Sequence, residues 1–190
     1  MILRYIILFV FMGSVSAATV FFLIFALDSL MRGHDLPTSR RAAKKLVEAI
    51  KEYKPEAKNF YDLGCARGNL SLAVKKFLPG LIVYGVDNSA VRIFFAKLKS
   101  TILRRKVHFQ KQDIFSLNTD LSQADVVYTY LWHDLMPLLE KKLQEELKTG
   151  TIVITNTSNF PTWKPIHKIV IHPEIPERFD FETLSIYLKE

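Results

Sequence analysis

The chain has 190 residues, 49% apolar and 24% charged, a globular composition that excludes a disordered or collagen-like protein. Lys and Arg outnumber Asp and Glu by 26 to 19, and the net charge of +7 points to an anionic neighbour, nucleic acid or a membrane face, without choosing between them. One cysteine, Cys65, excludes an intramolecular disulfide framework and a cysteine-rich zinc site, and it fits a reducing compartment.

Residues 5–27 contain no charged side chain. As a helix this run is about 34 Å long, against about 30 Å of hydrocarbon in a bilayer. A transmembrane anchor over residues 1–34 is the expectation. The rival is a cleaved signal peptide, because Ser14-Val15-Ser16-Ala17-Ala18 supplies small residues. Against it, the apolar run continues through Val20, Phe21, Phe22, Leu23, Ile24 and Phe25. Arg32, Arg40, Arg41, Lys44, Lys45 and Lys51 follow the span and only Arg4 precedes it, so the positive-inside rule places the rest of the chain on the cytoplasmic or equivalent inner side. Gly13/Ala17 and Ser14/Ala18 are spaced for helix pairing, but ordinary small residues in a lone span are the favoured reading.

Residues 35–190 form the second predicted unit. Pro37-Thr38-Ser39 reads as a helix start with Thr38 or Ser39 as N-cap, and Ala43, Leu46, Val47 and Ile50 share one face. The basic opposite face suits lipid headgroups or plain solvent equally well. A strand over 59–63 ends at Gly64. A helix follows with Leu70, Ala73, Val74 and Phe77 directed inward, broken by Pro79-Gly80. Residues 81–86 are a mostly apolar strand, as in a sheet covered on both faces. The next helix, 89–103, carries Val91, Phe94, Phe95, Leu98 and Ile102 in register. Strands are predicted at 107–109 and 125–131. A helix capped by Asp134 then carries Leu135, Leu138, Leu139, Leu143 and Leu147, with Pro137 tolerated in its first turn. Strands at 151–155, 166–171 and 183–188 complete the list, the last two as an edge hairpin. The alternation predicts a doubly wound α/β sheet.

Asp62-Leu63-Gly64-Cys65-Ala66-Arg67-Gly68 sits at a strand-to-helix turn. Glycines there permit close backbone approach to a ligand, and the helix N-terminus offers unpaired N–H groups. The dinucleotide pattern G-x-G-x-x-G is not met, since position 66 is Ala and position 69 is Asn. Asp87 ends the second strand, where a carboxylate can hold two ribose hydroxyls. Asp113 follows the third strand in Gln112-Asp113-Ile114-Phe115, where a carboxylate can accept from an adenine amino group. Any one Asp after a strand is ordinarily a turn residue. Three at successive strand ends beside a glycine turn mark a nucleotide-type cofactor site.

This set resembles the class I S-adenosylmethionine-dependent methyltransferases over nearly the whole second unit. The resemblance rests on the glycine turn, on Val83-Tyr84-Gly85-Val86-Asp87 and on Gln112-Asp113-Ile114-Phe115. It implies a Rossmann-like seven-stranded sheet with its last strand antiparallel and S-adenosyl-L-methionine as cofactor. It further implies that Asp62 meets the methionine amino end and that Gly64, Ala66 and Gly68 form the loop beneath the cofactor. Asp87 then holds the ribose, and Asp113 with Ile114 the adenine. Ala66 departs from the usual glycine, and the helix usual between strands five and six is reduced to residues 157–165.

The acceptor side begins at Tyr128-Thr129-Tyr130-Leu131-Trp132-His133. The Asn/Asp-Pro-Pro-Tyr signature of adenine and glutamine amide methyltransferases is absent. Tyr130 and Trp132 are the candidates to line the acceptor pocket, where aromatic faces hold a cation or an amine. Tyr128 and Tyr130 should share a sheet face, and one or both can be core. His133 reads as a helix-start residue before a general base. No metal site is expected. With the anchor, the chain resembles the membrane-anchored protein-lysine methyltransferases, implying a membrane-protein substrate at a bilayer. A lipid, quinone or RNA acceptor and a non-catalytic cofactor-binding module are the alternatives. A nicotinamide reductase is discouraged by the incomplete glycine pattern, and nucleic acid is the weaker partner because the basic excess behind the span lies nearer headgroups.

Overall fold

A computed structural model describes residues 2–32, 37–116, 119–175 and 182–190. The chain divides into two compact units, Met1–Asp35 and Leu36–Glu190. The first is a single helix, α1 (Ile2–Arg32). Its apolar stretch Ile2–Asp28 is long and apolar enough to cross a membrane, and none of it is buried against protein. Ser14 Oγ donates to Phe11 O at 2.7 Å and Thr19 Oγ1 to Val15 O at 3.0 Å. These two hydroxyls are therefore satisfied by the helix's own carbonyls, as an apolar environment requires.

The second unit is a seven-stranded sheet of order β3-β2-β1-β4-β5-β7-β6. Its strands are β1 (Asn59–Leu63), β2 (Ile82–Asp87), β3 (His108–Lys111), β4 (Val126–Thr129), β5 (Ile152–Asn156), β6 (His167–Val170) and β7 (Thr183–Leu188). Strands β1 to β5 pair in parallel, whereas β7 runs antiparallel to both β5 and β6. The expected sheet and its edge pair are therefore present. β1 and β4 are central, pairing Asp62 with Tyr128 and Leu63 with Thr129. The order reverses between β1 and β4, and ligands in such sheets bind outside the carboxyl ends of the strands at that reversal.

Helices α2 (Arg40–Tyr53), α3 (Asn69–Phe77), α4 (Ala90–Ile102) and α5 (Met136–Glu146) cover the sheet. Ser39 caps α2 by accepting from Ala42 N, which relieves one of the unpaired N–H groups of a first turn. Leu46 and Ile50 of α2 join Leu70 and Val74 of α3 over Phe60, Val83, Val126 and Ile154 on one sheet face. Met136, Leu139 and Leu143 of α5 cover Leu63, Val86, Val127 and Val153 on the other. Both faces of the central strands are thus apolar, which explains their near-continuous hydrophobic runs.

Three local expectations are corrected and one is completed. In α4 Val91, Phe94, Phe95, Leu98 and Ile102 share a face as expected, and it is the outward one: Phe94, Leu98 and Ile102 are exposed, Val91 and Phe95 partly buried. The residues packed inward are Ile93 and Ala96, against Cys65, Leu72 and Phe109. Phe109 fills the gap beneath the helix, so a small inner side chain suffices. In α3, Phe77 is exposed and Leu78 turns in to the core. Asp134 caps nothing by its side chain: a 3-10 turn, His133–Leu135, precedes α5, whose start carries Pro137 as expected. β4 ends at Thr129, leaving Tyr130 and Leu131 outside the strand.

Candidate active site

The turn after β1 reverses the chain in five residues. Gly64, Ala66 and Gly68 have φ of +80°, +45° and +71°. Glycine adopts such values freely, whereas Ala66 holds its own at about 1–2 kcal/mol. Gly64 N and Cys65 N donate to Val86 O, and Gly68 N to Cys65 O, so the loop is stitched to β2 and to itself. A Cβ on Gly68 would stand 2.4 Å from Phe109 Cζ and one on Gly64 2.7 Å from Leu131 Cδ2. Gly68 is required by packing as well as by φ, whereas at Gly64 the end of the flexible Leu131 side chain can give way and φ is the stronger reason. Lys99 of α4 donates to Arg67 O and to Asn69 Oδ1, clamping the loop from outside.

Asp87 is buried at the end of β2. Its Oδ2 accepts from Ala66 N and its Oδ1 from Ser89 N, each at 2.9 Å. One carboxylate therefore ties the glycine loop to the start of α4. A carboxylate has acceptor oxygens only, and a buried carboxylate at the end of the second strand is the group that a ribose diol needs. Asp62 is also buried, with Ser71 Oγ donating to its Oδ2. Burial pushes its carboxyl up to about 7; the Ser71 hydrogen bond opposes that and the neighbouring Asp87 charge adds to it. Asp113 is exposed after β3 and closes a turn by accepting from Phe115 N at 3.0 Å, while the adjacent Ile114 is buried. Burial pushes the Cys65 thiol well up, which makes it an inert packing residue. The structure thus gathers Asp62, Gly64, Ala66, Gly68 and Asp87 at the carboxyl ends of β1 and β2, with Asp113 and Ile114 following the neighbouring β3. This donor set fits S-adenosylmethionine: buried acceptors at the ribose position, an apolar side chain beside an exposed carboxylate at the adenine position, and a loop free of bulk between them.

The other half of the site lies beyond β4 and β5. Tyr130 is half-buried against the core, and Trp132 is 56% exposed beside the 3-10 turn. Tyr128 is core, its hydroxyl 2.7 Å from Thr38 Oγ1, and burial pushes its phenol far up. Asn156, fully buried at the end of β5, faces the Tyr128 hydroxyl, an interaction that opposes the upward shift. Ser39 N donates to Glu182 Oε1 at 2.7 Å, and Glu182 N to Thr157 Oγ1 at 3.2 Å. These bonds tie the segment before α2 to the ends of β4, β5 and β7. Sequence reading missed Thr38 and Glu182 as framing residues, because their partners lie 90 and 143 positions away. Phe160 and Trp163 stack on each other, and both rings meet Tyr187 of β7, one edge-on and one tilted. Among the described residues, no cluster of three His, Cys, Asp or Glu is placed to hold a metal.

A sheet of this order with a glycine turn and buried carboxylates at successive strand ends defines a class I S-adenosylmethionine-dependent methyltransferase. Residues 62–167, more than half of the chain, match the family described as the ANTKMT methyltransferase domain, and the chain belongs to that family. It is 26% identical over 132 residues to a protein-lysine N-methyltransferase of Saccharolobus islandicus, covering 68% of this chain and 80% of that one. It is 31% identical over 108 residues to the ribosomal protein L11 methyltransferase of Campylobacter lari, covering 57% of this chain but only 37% of that enzyme. Among solved structures, an RNA methyltransferase of Salinibacter ruber in complex with S-adenosyl-L-homocysteine superimposes with a TM-score of 0.69. That match has 21% identity and covers 80% of this chain and 93% of that one, a likeness of fold alone.

Proposed function

We propose that this methyltransferase is held in a membrane by α1 and methylates a lysine amine of a membrane protein. The observation that carries the acceptor class is the match to a protein-lysine N-methyltransferase across 80% of that protein's length. The apolar length of α1 supports the anchor.

When bound, S-adenosylmethionine supplies an electrophilic methyl group on a sulfonium. Asp87 would hold the ribose through its carboxylate, Asp113 and Ile114 would border the adenine, and the Gly64–Gly68 loop would pass beneath. Asp62 would face the methionine ammonium, which favours its ionised form. A lysine must lose its proton before its amine attacks, a cost of about 4–5 kcal/mol at pH 7. Burial beside a positive charge disfavours the ammonium and offsets part of that cost. Tyr130 and Trp132 offer aromatic faces for the amine and its aliphatic stem. His133 opens a 3-10 turn and is exposed, so the site relies on desolvation to release the proton.

The test is methyl transfer from labelled S-adenosylmethionine into membranes of a strain lacking this gene, by the wild type and by Asp87→Ala. Label on lysine of a membrane protein, lost with the variant, is the expected result. Label in lipid or RNA would overturn the acceptor, and cofactor binding without transfer would leave a binding module.

A further inference from the structure

The two outer helix surfaces rich in cations are built differently. On α2 the exposed Arg41 pairs with Glu174 and Lys45 with Glu48, and the outward face is polar throughout. That is a solvated face. α4 has the reverse construction. Its inward face consists of Ile93 and Ala96, and its larger apolar side chains look out. Phe94 is 58%, Leu98 45% and Ile102 69% exposed, one turn apart along the helix. Val91 and Phe95 extend the same stripe, the Phe94 and Phe95 rings meeting edge to face at 5.7 Å.

The charge around this stripe is as uneven as its burial. Residues 88–112 hold seven Lys or Arg and no Asp or Glu, a surplus equal to the net charge of the whole chain, +7. The rest of the chain is therefore neutral as a whole. Lys97 lies beside the stripe on α4, and Arg104 and Lys106 follow its end; all three are exposed. An apolar stripe bordered by long cationic side chains is the construction of a helix lying in a lipid interface: the rings and methyls enter the acyl boundary while the ammonium and guanidinium groups reach anionic headgroups. A duplex uses the cations alone, and a single strand could stack a base on Phe94 but has no use for Leu98 and Ile102, so the aliphatic part of the stripe favours lipid.

We propose that the outward face of α4 docks on an anionic lipid surface. The face shares only the bilayer with the anchoring role of α1, and the two fail separately: alkaline extraction from membranes reads α1, whereas a probe on α4 reads the docking. Cys65 is buried and inert, so one introduced thiol carries the probe. Full-length protein bearing a nitroxide at Leu98→Cys is reconstituted into vesicles of phosphatidylcholine, or of phosphatidylcholine with phosphatidylglycerol. Lys141→Cys on α5 is the control. In the anionic vesicles the Leu98→Cys label is expected to lose accessibility to a water-soluble nickel relaxer several-fold and gain it to oxygen, while the Lys141→Cys label stays aqueous. Each cation near the surface favours the docked state by about fivefold, so Lys97→Gln/Arg104→Gln/Lys106→Gln should cut the docked-to-free ratio roughly a hundredfold. Phe94→Gln/Ile102→Gln should return the label to water. A Leu98→Cys label equally open to nickel in both vesicles overturns the proposal. So does protection conferred by added RNA but not by lipid, or protection already complete in neutral vesicles and unchanged by the triple variant, which would mark a protein contact.

Discussion

The cofactor half and the acceptor half of this sheet are hydrogen-bonded over different ranges. Around β1 and β2 the polar constraints are short-range: the Asp87 carboxylate binds backbone N–H groups two and twenty-one positions away, and Asp62 accepts from Ser71, nine positions away. Around β4, β5 and β7 they span the chain, through Thr38–Tyr128, Ser39–Glu182 and Asn159–Ser185. A cradle built from one strand–turn–helix stretch and its neighbouring strand holds its own shape, whereas the far side of the sheet is framed only once distant segments have met.

Breaking the cradle should produce the largest effects. Gly68→Val forces a β-branched residue to φ +71° and drives its Cβ into Phe109 and Ala96. A loss of at least ~3 kcal/mol is expected, read as a fall in thermal midpoint of the detergent-solubilised chain; an unchanged midpoint would sink the packing account. Asp87→Ala comes next. It leaves the N–H groups of Ala66 and Ser89 without their acceptor, at about 1–3 kcal/mol each, and removes the ribose acceptors. Calorimetry should find S-adenosylmethionine affinity down by at least about a hundredfold if one charged hydrogen bond pair is lost.

A third measurement sharpens the cradle's electrostatics. Because the Asp62 carboxyl is raised to about 7, the folded state binds its proton more tightly than the unfolded state does. Stability of the cofactor-free protein is then greatest near pH 4 and falls as pH rises through about 7, by an amount on the order of 4 kcal/mol for this group. An ammonium facing Asp62 reverses the preference, so cofactor affinity should climb by up to about tenfold per pH unit between 6 and 7 and then level off. Asp62→Asn should flatten both profiles. A slope retained in the variant would assign it to another group.

The smallest effect belongs to the acceptor frame. Tyr128→Phe removes the hydroxyl that meets Thr38 and Asn156, at about 1–2 kcal/mol of stability. Cofactor affinity should stay within error while kcat/KM for the protein acceptor falls. Equal losses in both would mean that the two halves are not separable.

The same division explains what could be read beforehand. The strands, the glycine turn and the three carboxylates are short-range patterns, and the sheet follows the order that such alternation implies. The α4 stripe was legible as a stripe but not as outward, since a 3.6-residue period identifies which side chains share a face and is silent on where the sheet lies. Phe109, a β3 side chain filling the space under α4, decides that direction from another segment. Phe77 failed similarly, at a helix end where Leu78 takes the inward place. The hydrogen bonds of Thr38 and Glu182 left no trace in sequence, because a polar residue 90 or 143 positions from its partner looks like any other.

Both rims of the sheet are four-residue strands, His108–Lys111 and His167–Val170, and each begins with His and carries Lys. An open rim is a template on which a second copy could add its own strand, and brevity with cationic side chains discourages that addition. The benefit would be greatest if α1 holds the protein at a membrane, as proposed: two-dimensional confinement would raise the frequency with which neighbours meet edge to edge, and blunt rims would oppose strand addition at each meeting.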